Sequence, residues 1–180
     1  MAFIVPLRSP EACDPSRFGA KASNLARLGQ AGLPIPDGFC VDADAYRRHF
    51  AALGLPASLD RRELIALRIR LHEAPIAPDI RELLIRAWRS LARDSRAKTV
   101  VRSSALVEDR ADSSFAGQFE SYLGLEDEAE FETAVRSCWA ALWSPRVLRY
   151  MAGHGWKEDQ SMLCWNASSA GKMVLKVKAN

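Results

Sequence analysis

The sequence predicts an α+β fold that is rich in helix and has a small sheet, either mixed or antiparallel. Apolar residues recur at helical spacing in several separate stretches, which is typical of amphipathic helices. Short apolar runs rich in β-branched residues lie between them and predict strands. With 180 residues, 48% of them hydrophobic, the chain is long enough for one domain core.

The N-terminal region predicts one strand and one helix. The apolar run Phe3 to Val5 stops at Pro6, which is typical of an edge strand. Helical spacing then begins, and it predicts a helix of about three turns that starts close to Gly19 and carries Lys21 in its first turn. The glycines and prolines of residues 29–38 end this helix.

The next part of the chain predicts a strand followed by three helices. Gly38 to Asp42 reads as the strand, and Asp42 is placed to cap a helix running to about Leu53. Residues 61–73 and 80–91 have apolar residues at helical spacing and are separated by prolines. Trp88 lies on the apolar stripe of the later helix and is therefore predicted to be a core residue.

The second half of the chain predicts two strands and then further helix. Lys98 to Ser104 contains consecutive β-branched residues and favours a strand. A polar loop leads to residues 119–124, whose alternation predicts a second strand. Residues 131–142 carry one apolar helical face, and a last helical piece begins near Ser144 with Pro145 at its first position.

Composition excludes several classes of protein. No apolar run approaches the roughly 20 residues that a bilayer crossing needs, and the N-terminus lacks the pattern of a signal peptide, so a cytoplasmic location is expected. The net charge of +3 is mild and the arginines are scattered, which argues against nucleic-acid binding. The four cysteines have no zinc-site spacing, and free thiols are expected.

Two segments combine residues that suit phosphate binding, namely small residues, a cation and a helix start or strand end. One is "FGAKASNL", with Lys21 after Gly19, and the other is "VRSS" followed by "SSFAGQ", with Arg102 and Gly117. Each segment also permits a plainer interpretation. Lys21 could be a solvated surface residue, Arg102 could pair with nearby acids such as those at 108 and 109, and the later loop could be a simple hairpin connection. The Walker A pattern is absent around Lys21.

Three stretches together resemble a known family. "GAKASNLARLGQAGLPIPDGFCV", "VRSSALVEDRADSSFAGQFESYLGL" and "AVRSCWAALWSPRVLRYMAGHG" are similar, in this order, to the N-terminal ATP-binding domain of the phosphoenolpyruvate synthase family. That family is related to pyruvate phosphate dikinase and the rifamycin phosphotransferases. The resemblance implies an ATP-grasp fold, in which two α+β lobes clamp ATP and Mg²⁺, and this chain would be the first lobe.

The resemblance also implies an activity. Family members transfer the β-phosphoryl group of ATP to a histidine, release AMP and phosphate, and pass the phosphoryl group to pyruvate or another acceptor. The chain is therefore expected to be the ATP-binding part of an ATP-dependent phosphotransferase, inactive alone. Two alternatives remain, a non-catalytic nucleotide- or partner-binding module and a lobe of an antibiotic-modifying enzyme. The acceptor is not indicated by the sequence.

The resemblance assigns roles to individual residues. Lys21 and Arg102 match the family residues that contact the ATP phosphates, and both are expected to act in catalysis. A flexible loop that closes over the phosphates matches Ser114, Phe115, Ala116, Gly117 and Gln118. Glu108 and Asp109 would shape that loop. No residue of this chain is expected to bind a metal, because the ligands of Mg²⁺ belong to the second lobe.

The end of the chain departs from the family. Residues 1–156 are predicted to form the lobe, and residues 157–180 a divergent tail in which lysine replaces arginine as the basic residue. A truncation is expected, and the partners would be ATP, the missing second lobe and the phosphohistidine domain. None of the three histidines lies in a setting suited to phosphorylation. Self-association through exposed apolar surface is also expected.

Overall fold

The computed structural model describes residues 2–54, 61–92, 97–105, 121–145, 147 and 170–178. Its described strands are β1 (Ile4–Pro6), β2 (Gly38–Val41), β3 (Ala97–Ala105), β4 (Ser121–Leu125) and β5 (Ala170–Lys178). Its described helices are α1 (Pro15–Gln30), α2 (Ala43–Ala52), α3 (Arg61–Glu73), α4 (Pro78–Ala92) and α5 (Glu128–Ala141), and a 3-10 turn covers Pro10–Cys13. The predicted α+β class is confirmed.

The five strands form one sheet in the order β1-β2-β5-β3-β4, and every neighbouring pair is antiparallel. The expected edge position of the first strand is confirmed. β3 lies between β5 and β4, so its Arg102 is opposite Met173 on one side and Ser121 on the other. A strand that is hydrogen-bonded on both sides holds its residues in a fixed register.

β5 lies within the stretch that the sequence predicts to be a divergent tail. Its backbone pairs with both β2 and β3 and joins the two halves of the sheet. The sequence "KMVLKVK" alternates basic and apolar residues in part, which suits a strand. The boundary after residue 156 stays a prediction.

Aspartate side chains cap three of the described helices, namely α1, α2 and α5. The Asp42 carboxylate accepts a hydrogen bond from the Asp44 N–H at 2.9 Å, which confirms its predicted role as the cap of α2. At α5, Asp127 accepts from the Glu130 N–H at 2.8 Å, and Glu130 accepts in return from the Glu126 N–H at 2.8 Å. The bonds from the Asp44 and Glu130 amides satisfy donors that a helix start leaves without intrahelical partners.

Side chains of the sheet alternate between two hydrophobic clusters. In β2, Phe39 and Val41 join the larger cluster, whereas Cys40 joins the smaller one. The larger cluster is built mainly by α2, α3, α4 and α5, and it contains Trp88 at 3% exposure, as predicted. The smaller cluster is built around α1. Helix α1 therefore covers one face of the sheet, and the other four helices pack on the opposite face.

A buried histidine lies inside the larger helical layer. His49 of α2 is 1% exposed, and its Nδ1 accepts a hydrogen bond from the Ala77 N–H at 3.3 Å. Its ring stacks on that of Trp139, with centroids 4.9 Å apart. Burial, together with the charge of Arg136, lowers the pKa of His49 to about 4. His49 is therefore neutral in the folded protein at pH 7.

This low pKa predicts a loss of stability in acid. The unfolded chain takes up the proton on His49 near its ordinary pKa of 6.5, whereas the folded chain does so only near 4, so the stabilisation is complete above about pH 6.5 and disappears as the pH falls toward 4. We expect the free energy of unfolding to drop by about 1–2 kcal/mol between about pH 7 and pH 5 through this group. Urea titrations at several pH values will measure it, and His49→Gln should flatten the dependence. Equal slopes in the two proteins would contradict the assignment.

Candidate functional site

Helix α1 is interrupted at Gly19. This glycine has φ 78° and ψ 164°, a backbone region that is populated essentially by glycine alone. The residues from Pro15 to Phe18 form a short first segment, and a second segment runs from Ala20 to Gln30. The predicted helix start close to Gly19 is therefore the start of the second segment, which carries Lys21 in its first turn.

Gly19 lies directly against the end of β3. A Cβ atom added to Gly19 would be 2.3 Å from the carbonyl oxygen of Ser104 and 2.7 Å from its Oγ. Three residues further along α1, the Ala22 N–H donates a hydrogen bond to the same Oγ at 3.0 Å. Ser104 is fully buried. One serine thus contacts both the interruption and the first turn of the helix segment that follows it.

This contact brings together the two segments that the sequence indicated separately. Arg102 and Ser104 are two residues apart on β3, so their side chains project from the same face of the sheet, about 7 Å apart along the strand. Ser104 contacts α1 on that face, and Lys21 is the neighbour of Ala22 in the chain. Lys21 and Arg102 are therefore presented from adjoining elements on the α1 side of the sheet.

The surroundings of Lys21 and Arg102 help to distinguish ligand binding from the plainer interpretations of these two residues. Arg102 is exposed, and it forms no ion pair with any carboxylate among the residues that the structure describes. The acids at 108 and 109 lie outside those residues. Lys21 is half-buried, which is less accessible than a typical solvated lysine. Both observations suit ligand binding.

The loop assigned to closure over the phosphates is not described. Ser114, Phe115, Ala116, Gly117 and Gln118 all lie outside the described residues, as do most of the last predicted helical piece and His154. Their roles stay predictions. The geometry of the candidate site is therefore that of Gly19, Lys21, Ala22, Arg102 and Ser104.

A second contact fixes the chain just before Gly19. The Arg17 Nε donates to the Asp42 carboxylate at 2.6 Å, and the Asp42 side chain is almost fully buried. Another guanidinium nitrogen of Arg17 donates to the Ala2 carbonyl at 3.0 Å, and the group lies 4.8 Å from the centroid of the Phe18 ring. Sequence reasoning missed Arg17 as an anchor, because its partner is 25 residues away.

A metal centre finds no support in this part of the molecule. Within the described ranges, no group of three or more His, Cys, Asp or Glu side chains could hold a metal ion. Among the described helices, none has the length and apolarity needed to cross a membrane.

The arrangement suits a ligand with several negative charges. A planar arginine fork can bind two phosphate oxygens at once, and a lysine supplies a mobile point charge. The first turn of a helix adds a favourable field for anions. The segments that carry these three features meet where Ser104 of β3 contacts Gly19 and Ala22 of α1.

Comparisons with known proteins point to the same kind of ligand. Residues 15–170 match a family described as the pyruvate phosphate dikinase AMP/ATP-binding domain. The chain is 35% identical to the prodigiosin synthesizing transferase PigC of Serratia marcescens over 94% of its length, and 34% identical to a phosphoenolpyruvate synthase of Aeropyrum pernix over 73%. It is also 35% identical, over 73%, to YvkC, a Bacillus subtilis protein named as an uncharacterized phosphotransferase.

These relatives are much longer than the chain. The matched part makes up 19% of the Serratia protein, 18% of the Aeropyrum protein and 15% of the Bacillus protein. The chain thus spans less than one fifth of the length of each of these three relatives. The matched stretch of 15–170 includes both the Lys21 and the Arg102 segments.

Proposed function

Because the chain belongs to the pyruvate phosphate dikinase AMP/ATP-binding domain family, we propose that Lys21 and Arg102 contact the phosphates of ATP. The observation that carries this proposal is the contact of Ser104 with Gly19 and Ala22, which joins the two cationic segments. A single lysine or arginine on a surface would be weak support for phosphate binding. Two cations presented from adjoining elements, beside a helix start, favour a polyanion such as a triphosphate.

The two side chains would act by charge stabilisation. In phosphoryl transfer, negative charge spreads over the moving group and the leaving group, and fixed cations lower the energy of that state. Arg102 is held on a strand that is paired on both sides, so its position is rigid at the backbone. Lys21 would add a second charge from the helix. The loop of residues 114–118 would close over the phosphates and shield them from bulk water.

The proposed reaction is that of a dikinase-type phosphotransferase. The β-phosphoryl group of ATP would pass to a histidine on another domain and AMP would be released, while one water molecule would cleave the bond between the β- and γ-phosphates so that the γ-phosphate leaves as inorganic phosphate. The name of the Aeropyrum relative supports pyruvate as the final acceptor, whereas that of the Serratia relative supports a different one. A second ATP-grasp lobe would supply the ligands of Mg²⁺.

Other expectations accompany this proposal. The first-lobe assignment, the cytoplasmic location, self-association and the need for further domains stay predictions. The chain covers less than one fifth of the length of these relatives, which is consistent with an activity that needs further domains.

Titration calorimetry with ATP tests the site directly. We expect the chain to bind ATP weakly, with a dissociation constant on the order of 1 mM, and we expect Lys21→Ala and Arg102→Ala each to weaken binding about tenfold, as loss of a charged hydrogen bond does. Arg86→Ala is the matched control, because Arg86 is an exposed arginine of α4, in the helical layer on the other face of the sheet. Unchanged ATP affinity in both site variants would refute the assignment.

A further inference from the structure

We propose that Ser104 is a positioning residue for nucleotide binding, whose hydroxyl holds the helix segment carrying Lys21 against the strand carrying Arg102. This inference rests on the proposed function, since it explains how the two cations are kept in register. Ser104 itself need not touch the nucleotide. It is fully buried, and its Oγ accepts the hydrogen bond from the Ala22 N–H.

The helix start at Gly19 creates a need for such a residue. The first amides of a helix segment lack intrahelical acceptors, and a side chain at the preceding residue normally supplies one. Gly19 stands in that position and has no side chain. The acceptor for the Ala22 amide comes instead from Ser104, 82 residues away in the sequence. The bond therefore does more than cap a helix, because it ties two distant segments together.

The placement of Ser104 links this bond to both cations. It lies two residues beyond Arg102 on the same face of β3, and its bonding partner is the residue that follows Lys21. Gly19 allows the close approach, since any side chain there would collide with the Ser104 backbone. Holding both cations before ATP arrives lowers the ordering cost of binding.

A double-mutant cycle on the full chain tests the coupling. We expect Ser104→Ala to weaken ATP binding about five- to tenfold in the wild-type background, but less than about twofold when Lys21 is already alanine, because Ser104 acts through Lys21. Ser104→Cys keeps the approximate volume and supplies only a weak acceptor, so it should behave like Ser104→Ala. Ser103→Ala is the matched control, since Ser103 is also buried but projects from the opposite face of β3.

Amide hydrogen exchange provides a second readout that does not depend on nucleotide. The Ala22 amide should exchange at least about tenfold faster in both Ser104 variants, because it loses its acceptor, and should be unchanged in Ser103→Ala. Equal effects of Ser104→Ala with and without Lys21, or an unchanged Ala22 exchange rate, would overturn the positioning role. If the wild-type chain binds no ATP, both the proposed function and the positioning role of Ser104 fail. If ATP binding depends on Lys21 and Arg102 but not on Ser104, only the positioning role fails.

Discussion

Gly19→Ala should lower the free energy of unfolding by about 3–5 kcal/mol, because alanine meets both a backbone and a steric obstacle there. The φ and ψ of Gly19 are strained for any residue with a Cβ. The new Cβ would also lie 2.3 Å from the Ser104 carbonyl oxygen, and backbone cannot move aside as a flexible side chain can. Urea unfolding measures the loss. ATP binding by the folded fraction should weaken too, because α1 would shift away from β3.

Gly32→Ala separates the two causes. Gly32 also has a positive φ, of 81°, but a Cβ there would meet nothing within 4 Å. We expect this variant to lose only about 1 kcal/mol, from backbone strain, and to keep its ATP affinity. A similar loss of stability in the two variants would show that the contact between Gly19 and Ser104 contributes little.

Asp42→Ala should lower the free energy of unfolding by about 3 kcal/mol, since it removes a helix cap and leaves a largely buried guanidinium without its nearest carboxylate. Asp42 accepts from the Asp44 amide at the start of α2 and from Arg17 before Gly19. The side chain of Arg17 is 15% exposed, so water compensates for the lost partner only in part. Thermal or urea unfolding of the variant provides the measurement.

Asp42→Asn is the informative comparison. Asparagine keeps an oxygen for the Asp44 amide and is as good a cap as aspartate, but it lacks the charge that pairs with Arg17. The Asp42→Asn variant should lose about half as much free energy of unfolding as Asp42→Ala does. If Asp42→Asn is as stable as wild type, the ion pair adds nothing and the cap explains the whole effect of Asp42→Ala.

Local elements were largely predictable from the sequence, because their signals lie within a few residues of one another. The helix over Arg61–Glu73 has the predicted bounds, and Asp42 caps α2 as its position indicated. Trp88 lies in the core because its stripe of apolar neighbours has helical period. Each of these predictions depends on the spacing of residues within a single helix or strand.

Long-range contacts were not predictable in the same way. The resemblance named Lys21 and Arg102, but no local pattern shows that Ser104 accepts from Ala22. The pairing of Arg17 with Asp42 was missed for the same reason. In the sheet, β5 lies between β2 and β3, although the three strands are far apart in the sequence, and no local pattern shows this order. Such contacts follow from the folded arrangement of the whole sheet.

The most direct test of the central claim is a titration of the labelled chain with ATP, followed by amide NMR. We expect the largest shifts at residues 19–22 and 102–104, while α4, in the helical layer on the opposite face of the sheet, changes little. Lys21→Ala combined with Arg102→Ala should abolish these shifts. Shifts centred on α4, or a spectrum that ATP leaves unchanged, would contradict the claim that the phosphates bind where α1 meets β3.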